Sequence, residues 1–339
     1  MKVKLKNVLL VLGISLLCLF ALEGLTRLLL DDGKLYELEM WKYARQIKVR
    51  DLRADLGHRH RHHAEARLMG VAVRTNSFGF RSPEIDEKAG AGVARITIVG
   101  DSIAMGWGVA EQDTFAHQVV DALAKSGRKV DGVNLGVGNY NTSQELALFR
   151  HVGAHLKPDI IVLCYFINDA EPMPQYSSDD WLSEHSAAWI VLRYRLDSLS
   201  RQFGQAPDWK HYYRMLYDQD AAGWAETQKA IAGFAATARD LGAELVVFNI
   251  PELRELKPYP FGDITAKVRE VVEGERVPFV DLLPTVEDLK PSSLWVTVPD
   301  PHPNAKANSA FTSGMVPQLV PILDRLCRDQ GKGCTGEFR

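Results

Sequence analysis

The sequence has no strong excess of either charge, with 40 lysines and arginines against 43 aspartates and glutamates and a net charge of −3. A chain without a basic excess argues against broad nucleic-acid binding, and 46% apolar residues argue against an acidic disordered chain. Its 26 glycines and 16 prolines follow no period, which argues against collagen, coiled coils and solenoids. The 339 residues suffice for one large α/β domain or two small ones.

Cysteine is scarce: the chain has four, without a CxxC pair, which argues against a cysteine-based zinc site. Cys18 lies in an apolar N-terminal run, and Cys164 lies in an apolar strand pattern that is typical of an inert core thiol. Cys327 and Cys334 lie close together near the C-terminus. In an oxidising compartment they would close a small loop, and the alternative is two free thiols on a frayed tail.

One apolar run is long enough to suggest export, from Val8 to Leu22, and three lysines precede it. Basic residues followed by an apolar stretch are the layout of an export signal, and the lysines stay cytoplasmic by the positive-inside rule. Because no small-x-small cleavage site follows, we predict an uncleaved single-pass anchor over residues 1–30. A cleaved signal peptide and a buried soluble helix are the alternatives. The remainder is then expected outside a bacterial inner membrane, in the periplasm.

A polar connector is expected over residues 31–92. It contains Gly57–His63 (GHRHRHH), whose four histidines suggest a metal site. No carboxylate or cysteine cluster accompanies them, so the sequence favours a solvated basic loop, and we expect no metal.

From Ala94 onward, strand and helix patterns alternate. Strands are predicted at 95–99, 130–137, 159–166, 244–250 and 277–281, and helices at 114–124, 142–155, 222–241, 264–273 and 304–326. Such alternation predicts right-handed βαβ units and a parallel sheet with helices on both faces. We therefore expect one α/β domain over residues 93–330, followed by a tail over 331–339.

The stretch from about 170 to 223 interrupts this alternation. It holds three of the seven tryptophans and five of the ten tyrosines, and its helical part at 187–199 is a candidate cap over the sheet. An aromatic insertion there would build a substrate wall, or its aromatics would simply pack the insertion against the core.

Ligands of open α/β sheets bind beyond the carboxyl ends of the strands, and polar residues follow three of the predicted strands. Gly100-Asp101-Ser102 ends the first, where a serine that opens a helix presents its hydroxyl and N–H above the sheet edge, although Ser102 would also serve as a helix N-cap. Asn134–Tyr140 (NLGVGNY) ends the second and lacks the third glycine of a dinucleotide fingerprint. Asn168 follows the third, either as a donor to negative charge or as a turn residue.

A fourth polar segment, Asp300-Pro301-His302-Pro303, lies late in the chain. Each proline holds the residue before it in an extended conformation, and extended residues two apart point to the same side. Asp300 and His302 are therefore expected side by side, with the carboxylate orienting the imidazole as the base of a serine nucleophile requires.

Together these segments resemble the SGNH (GDSL-type) hydrolases over roughly residues 94–326, and Thr75–Arg81 (TNSFGFR) is similar to a segment of membrane-anchored bacterial members. The matching blocks are Gly100-Asp101-Ser102 with Met105–Val109, Asn134–Tyr140, Asn168-Asp169 and Asp300-Pro301-His302. The sequence departs from the family in three places: Asn139 replaces the usual glycine of the second block, Phe166 replaces a glycine of the third, and the last block reads Asp-x-His instead of Asp-x-x-His.

The resemblance implies a flavodoxin-like, three-layer α/β/α fold with a five-stranded parallel sheet. It implies Ser102 as nucleophile, His302 as base and Asp300 as its orienting acid. It also implies an oxyanion hole formed by the Ser102 N–H, the Gly138/Asn139 backbone and the Asn168 side chain, with no cofactor.

The expected function is hydrolysis of O-acyl groups, such as acetyl, on an envelope glycan or lipid, with the membrane contacted through the N-terminal helix. An acyltransferase that uses the same triad with a sugar acceptor is one alternative. A catalytically silent envelope binding protein is the other. The sequence leaves the acyl group and the acceptor open.

Overall fold

The computed structural model describes residues 2–173, 181–203, 208–298 and 300–336. Residues 174–180 and 204–207 of the predicted insertion, and 337–339 of the predicted tail, lie outside the described residues.

The helices and strands follow one another through most of the described chain. The helices are α1 (Lys2–Leu30), α2 (Tyr36–Gln46), α3 (Ser102–Met105), α4 (Phe115–Lys125), α5 (Thr142–His151), α6 (Trp181–His185), α7 (Ala187–Phe203), α8 (Trp209–Leu216), α9 (Ala222–Leu241), α10 (Gly262–Gly274) and α11 (Ala305–Gln330). The strands are β1 (Lys48–Arg50), β2 (His58–His60), β3 (Glu65–Leu68), β4 (Val71–Arg74), β5 (Ala94–Val99), β6 (Val130–Asn134), β7 (Ile160–Tyr165), β8 (Glu244–Asn249), β9 (Phe279–Asp281), β10 (Trp295–Thr297) and β11 (Asp300–Pro303). Short 3-10 helices occupy Glu111–Asp113, Gly153–Leu156, Ile167–Ala170, Leu283–Thr285 and Pro291–Ser293.

The central sheet has five parallel strands in the order β6-β5-β7-β8-β9, which confirms the predicted α/β fold. Strands β5 and β7 are buried along their whole length, because helices cover both faces. Alternate side chains enter two cores: Ile161 packs with α5, α9 and α10 on one face, and Ile160 packs with α4 and α11 on the other. The sheet places the carboxyl ends of β5, β6 and β7 next to one another.

Two predicted elements end earlier than their sequence patterns. The strand predicted at 130–137 stops at Asn134, where the following residues pack closely against α3, although the Leu135 and Val137 N–H groups still donate to the Ile98 and Gly100 carbonyls. The helix predicted at 142–155 stops at His151 and gives way to a 3-10 turn that ends at Lys157, a residue with a left-handed φ of 51°. Tertiary packing decides both ends.

Residues 31–92, expected as a connector, are folded. They form α2 and two antiparallel hairpins, β1-β2 and β3-β4. Tyr43, Leu68 and Val73 of this segment share a third apolar core with Met105 and Trp107, which follow the β5 turn. This N-terminal extension therefore packs directly against the serine loop.

The predicted insertion supplies α6, α7 and α8. Its aromatics have two kinds of surroundings: Tyr217 is buried in the core, whereas Tyr194 and Tyr213 line a cavity at the sheet edge. Helix α7 begins against α1, where the Glu23 carboxylate accepts the Ala187 and Ala188 backbone N–H groups.

The two ends of the chain carry the features from which the cellular compartment is inferred, an apolar helix and a pair of cysteines. The segment Leu5–Leu30 of α1 is long and apolar enough to cross a membrane, with a mean hydropathy of 2.5, and it is not buried in the protein. This excludes the buried soluble helix and fits either a single-pass anchor or a signal sequence. Cys327 and Cys334 form a disulfide, so the small loop considered from the sequence is closed.

Candidate active site

Three side chains from distant parts of the chain meet beyond the carboxyl ends of the strands. The Ser102 hydroxyl oxygen lies 2.9 Å from Nε2 of His302, which is 200 residues away in sequence. Nδ1 of the same imidazole lies 2.5 Å from Oδ1 of Asp300. Hydroxyl, imidazole and carboxylate thus form one hydrogen-bonded chain.

The turn after β5 places the serine. Gly100 is required there, because an added Cβ would lie 2.7 Å from the Cβ of Ala104 and 3.1 Å from the Cys164 carbonyl oxygen. The Asp101 carboxylate accepts the Ile103 N–H at 2.8 Å and caps α3, a role considered above for Ser102. Ser102 therefore opens α3 with its hydroxyl directed at the imidazole.

The hairpin β10-β11 places the acid and the base. Asp300 is 2% exposed, and its Oδ1 also accepts the His302 backbone N–H at 3.1 Å. Its Oδ2 accepts the indole N–H of Trp107 at 2.9 Å. Burial raises the pKa of Asp300, but the bonds and charge of His302 and the Trp107 bond outweigh it, and the net pKa is lowered.

The lowered pKa of Asp300 determines how the imidazole is protonated. An ionised carboxylate only accepts hydrogen bonds, so Nδ1 of His302 carries the proton that it shares with Asp300. Nε2 of the neutral ring is then left to accept the proton of the Ser102 hydroxyl. This is the tautomer in which an imidazole acts as a general base toward a serine.

The loop after β6 contributes backbone N–H groups. An added Cβ at Gly136 would lie 2.2 Å from the Met105 backbone nitrogen, so this glycine allows the loop to approach α3. Asn139 has a left-handed φ of 66°, a conformation that asparagine tolerates better than most residues and that suits a position where the family has glycine. The Gly138 N–H donates to the Tyr43 hydroxyl at 2.8 Å, so it is already used.

Asn168 follows β7 at the same sheet edge and lines the cavity beside the imidazole. Its side chain is hydrogen-bonded to the buried Asp101 carboxylate. An asparagine amide has two N–H donors, so one remains for a ligand.

Three buried carboxyl groups lie behind the serine loop: Asp101, Glu145 and Asp169. Burial raises the pKa of each, and the charge of Asp101 adds to the rise at Glu145 and Asp169. Neither Glu145 oxygen has a protein partner among the described residues. The arrangement is stable only when protons are retained in the cluster.

A cavity of about 240 Å³ opens beside His302. Three tyrosines line it, namely Tyr36, Tyr194 and Tyr213, together with Arg254. Tyr36 stacks on the imidazole with ring centroids 6.1 Å apart. The cavity therefore offers aromatic faces, polar groups and one cation to a molecule bound at the serine.

Sequence reasoning missed the residues that the N-terminal extension contributes to the cavity and to the loop after β6. Tyr36 and Tyr43 carry no local signal, because they stand in an ordinary amphipathic helix. The interpretation of the histidine run as a solvated loop was wrong for His58 and His60, which are 4% and 3% exposed and alternate with the half-buried Arg59 on β2. That strict alternation was a usable signal.

One family model and several solved structures match this chain. Residues 98–310 match the model of the GDSL-like Lipase/Acylhydrolase family. Solved structures with a similar fold include TesA, at 19% identity with a TM-score of 0.46, covering 67% of this chain and 99% of that one. The acetylxylan esterase Axe2 from Geobacillus stearothermophilus, as a catalytic mutant, is 15% identical with a TM-score of 0.43, covering 68% and 94%.

A lipase/acylhydrolase from Enterococcus faecalis is 12% identical with a TM-score of 0.42, covering 67% of this chain and 95% of that one. A search of curated proteins finds no match to this sequence. The family match covers well over half of the chain and includes Ser102, Asp300 and His302. The chain thus belongs to the GDSL-like lipase/acylhydrolase family and is a carboxylic ester hydrolase.

Proposed function

We propose that this ester hydrolase works through an acyl-enzyme on Ser102, with His302 as general base and Asp300 as the acid that orients it. The observation that carries the proposal is the hydrogen-bonded chain from the Ser102 hydroxyl through His302 to Asp300. The low pKa of Asp300 supports it, because the carboxylate then stabilises the imidazolium that forms during attack.

The reaction then follows in two steps. The Ser102 oxygen attacks the ester carbonyl carbon while its proton passes to Nε2 of His302, and the imidazolium protonates the departing alkoxide. Water attacks the acyl-enzyme in the second step, giving its proton to His302, and the acid leaves as Ser102 regains a proton. No cofactor enters either step.

The oxyanion is held by the Ser102 N–H, the Asn139 N–H and the second amide N–H of Asn168. Of the two residues of this loop expected from the sequence, Asn139 is the better donor, because the Gly138 N–H already bonds the Tyr43 hydroxyl. Losing one such donor typically lowers turnover about 10²–10³-fold.

The substrate we propose is an O-acyl group, such as acetyl, on an envelope glycan or lipid. The cavity beside His302 supports this class, since tyrosine rings and Arg254 suit a hydroxyl-rich carrier of a short acyl group better than a long alkyl chain. We further propose that residues 1–30 anchor the chain in a bacterial inner membrane. The hydrolase domain, residues 93–330, would then lie in the periplasm, where the Cys327–Cys334 disulfide persists.

The full-length chain in detergent tests the catalytic roles. Ser102→Ala should lower the hydrolysis of p-nitrophenyl acetate at least about 10³-fold and abolish labelling by a fluorophosphonate, with an unchanged melting temperature. Ser313→Ala, at an exposed serine of α11, is the matched control and should behave as wild type. Full activity of the Ser102 variant would refute the proposal. Product analysis with an acetylated glycan, with and without an acceptor sugar, separates hydrolysis from acyl transfer.

A further inference from the structure

Two residues of the N-terminal extension hydrogen-bond the loop after β6 (residues 135–140, the oxyanion loop) on both sides of Gly138. We propose that Tyr43 and His58 are positioning residues of the esterase, which hold the two peptide groups that flank Gly138 so that the Asn139 N–H faces the developing oxyanion. This inference rests on the proposed function, because it assigns the extension a role in that same site.

The backbone donors of the loop identify the N–H that remains for a substrate. The Gly136 N–H donates to the Asn134 side chain, and the Tyr140 N–H donates to the Val137 carbonyl. The Val137 and Gly138 N–H groups are also used, by the Gly100 carbonyl and the Tyr43 hydroxyl respectively. Within this part of the described chain, the Asn139 N–H alone has no acceptor.

His58 determines the direction of that N–H. Its Nε2 lies 3.0 Å from the Gly138 carbonyl oxygen, which belongs to the same peptide group as the Asn139 N–H. A trans peptide is planar, and its C=O and N–H point in opposite directions. Anchoring the carbonyl on the extension side therefore turns the Asn139 N–H away from the extension.

Tyr43 holds the preceding peptide through a directed chain of hydrogen bonds. Its hydroxyl accepts the Gly138 N–H, so its own proton goes to Nε2 of His60, 2.6 Å away. His60 then carries its proton on Nδ1 and donates it to the Gly79 carbonyl at 3.2 Å. Burial, with the charge of Lys48 as a smaller cause, lowers the pKa of His60 to about 3, so the ring stays neutral as this chain requires.

Close packing and a third hydrogen bond also hold the oxyanion loop in place. A Cβ at Gly138 would lie 2.7 Å from the Tyr43 ring, so the loop fits against this tyrosine only as glycine. The Lys48 ammonium donates to the Asn139 side-chain oxygen at 2.7 Å, on the neighbouring residue with the left-handed φ of 66°. Burial, together with the Lys48 charge, also lowers the pKa of His58 to about 3, which keeps that ring neutral.

The test uses the full-length chain in detergent with p-nitrophenyl acetate as substrate. Tyr43→Phe and His58→Ala should each lower kcat about 10- to 100-fold, somewhat less than the removal of an oxyanion donor, with KM within about twofold. The affinity for a short alkylboronic acid, which forms a tetrahedral adduct with the serine, should fall by the same factor. His58→Gln keeps an N–H donor for the Gly138 carbonyl and should recover most of the lost kcat.

Glu39→Ala is the matched control within the extension. Glu39 is 1% exposed and accepts the Met69 N–H, but it touches neither histidine nor the oxyanion loop. This variant should lower the melting temperature and leave kcat unchanged. If Glu39→Ala lowers kcat as much as Tyr43→Phe, or if His58→Gln is no better than His58→Ala, the extension merely stabilises the fold and the inference is overturned.

The inactivation of Ser102→Ala is measured in parallel. If that variant stays active, the proposed function itself fails. If it is inactive while Tyr43→Phe and His58→Ala retain wild-type kcat and boronate affinity, only the positioning role fails.

Discussion

Replacing Trp107 with phenylalanine removes one hydrogen bond from the carboxylate of Asp300, the proposed orienting acid, and leaves Ser102, His302 and Asp300 in place. The indole N–H donates to Oδ2 of Asp300 at 2.9 Å, and both residues are 2% exposed. Without the indole N–H, Oδ2 of Asp300 stays buried beside a phenyl ring that offers no hydrogen-bond donor. We therefore expect Trp107→Phe to impair the enzyme through Asp300, since Trp107 does not line the cavity beside His302.

The size of the effect follows from the charge and burial of this bond. A hydrogen bond to a buried charged group contributes about 1.5–3 kcal/mol, and the smaller ring adds roughly 1 kcal/mol for the space it leaves. Because the carboxylate must stabilise the imidazolium during attack, we expect most of the first contribution in kcat, as a loss of about 10- to 100-fold.

The dependence on pH has a definite sign. The Trp107 bond is one of the contacts that lower the pKa of Asp300 against the opposing effect of burial, so its loss raises that pKa. The loss in kcat is therefore read at the plateau of the pH profile, where the carboxylate is ionised in both proteins. The bond's contribution to stability is present above the ordinary pKa of an aspartate and is lost as the pH falls, so the two proteins should converge in stability in acid.

The assay is the pH profile of kcat for p-nitrophenyl acetate, together with thermal unfolding of the full-length chain. Trp41→Phe is the matched control, because it also loses an indole bond, to the Ser183 carbonyl, far from Asp300. It should lose stability with an unchanged plateau kcat. A wild-type plateau kcat for Trp107→Phe would refute the assigned role of the indole.

Three further predictions concern other parts of the molecule. Burial and the charge of Asp101 raise the pKa of Glu145, so its contribution to stability is complete below the ordinary glutamate pKa and is lost as pH rises. The unfolding free energy of Glu145→Gln, measured in urea, should therefore rise relative to that of the wild type as pH increases. An equal dependence of the two unfolding free energies on pH would contradict this. Replacing Cys327 and Cys334 with serine opens a loop with a sequence separation of 7 and should cost about 2.5 kcal/mol of unfolding free energy by the loop-entropy estimate. If the variant and the wild type have the same urea midpoint under oxidising conditions, that cost is excluded. Asn139→Gly keeps the N–H and suits the φ of 66°, and Tyr43 and His58 still hold the loop, so kcat should stay within about threefold of wild type; a larger loss would mean that the Lys48 bond to the Asn139 side chain is needed as well.

The parallel sheet was predictable because its evidence is local. Apolar strands such as Ile160–Tyr165, the turn glycine at Gly100 and the prolines around His302 each act within a few residues of themselves. The rule that ligands bind at the carboxyl ends of the strands then places Ser102 and Asn168 at one edge, and the resemblance to the family adds the Asp300 segment. The candidate site was accessible from sequence for this reason.

The hydrogen-bond partners within the site were not predictable in the same way. Asp300 was expected to contact His302, two residues away, but its bond to Trp107 joins segments 193 residues apart. The sequence predicts a solvated loop for the histidines of β2, because their burial depends on a hairpin that has to dock beside the serine loop.

The sequence by itself therefore determined the α/β class, the apolar N-terminal segment and the polar residues that end the strands. Tertiary structure alone decided that residues 31–92 pack against the serine loop, that Cys327 and Cys334 are joined, and which N–H of the loop after β6 has no acceptor among the described residues. The physical reason is that strand and turn formation depend on neighbouring residues. A donor's choice of acceptor instead depends on which distant surface packs against it and excludes water.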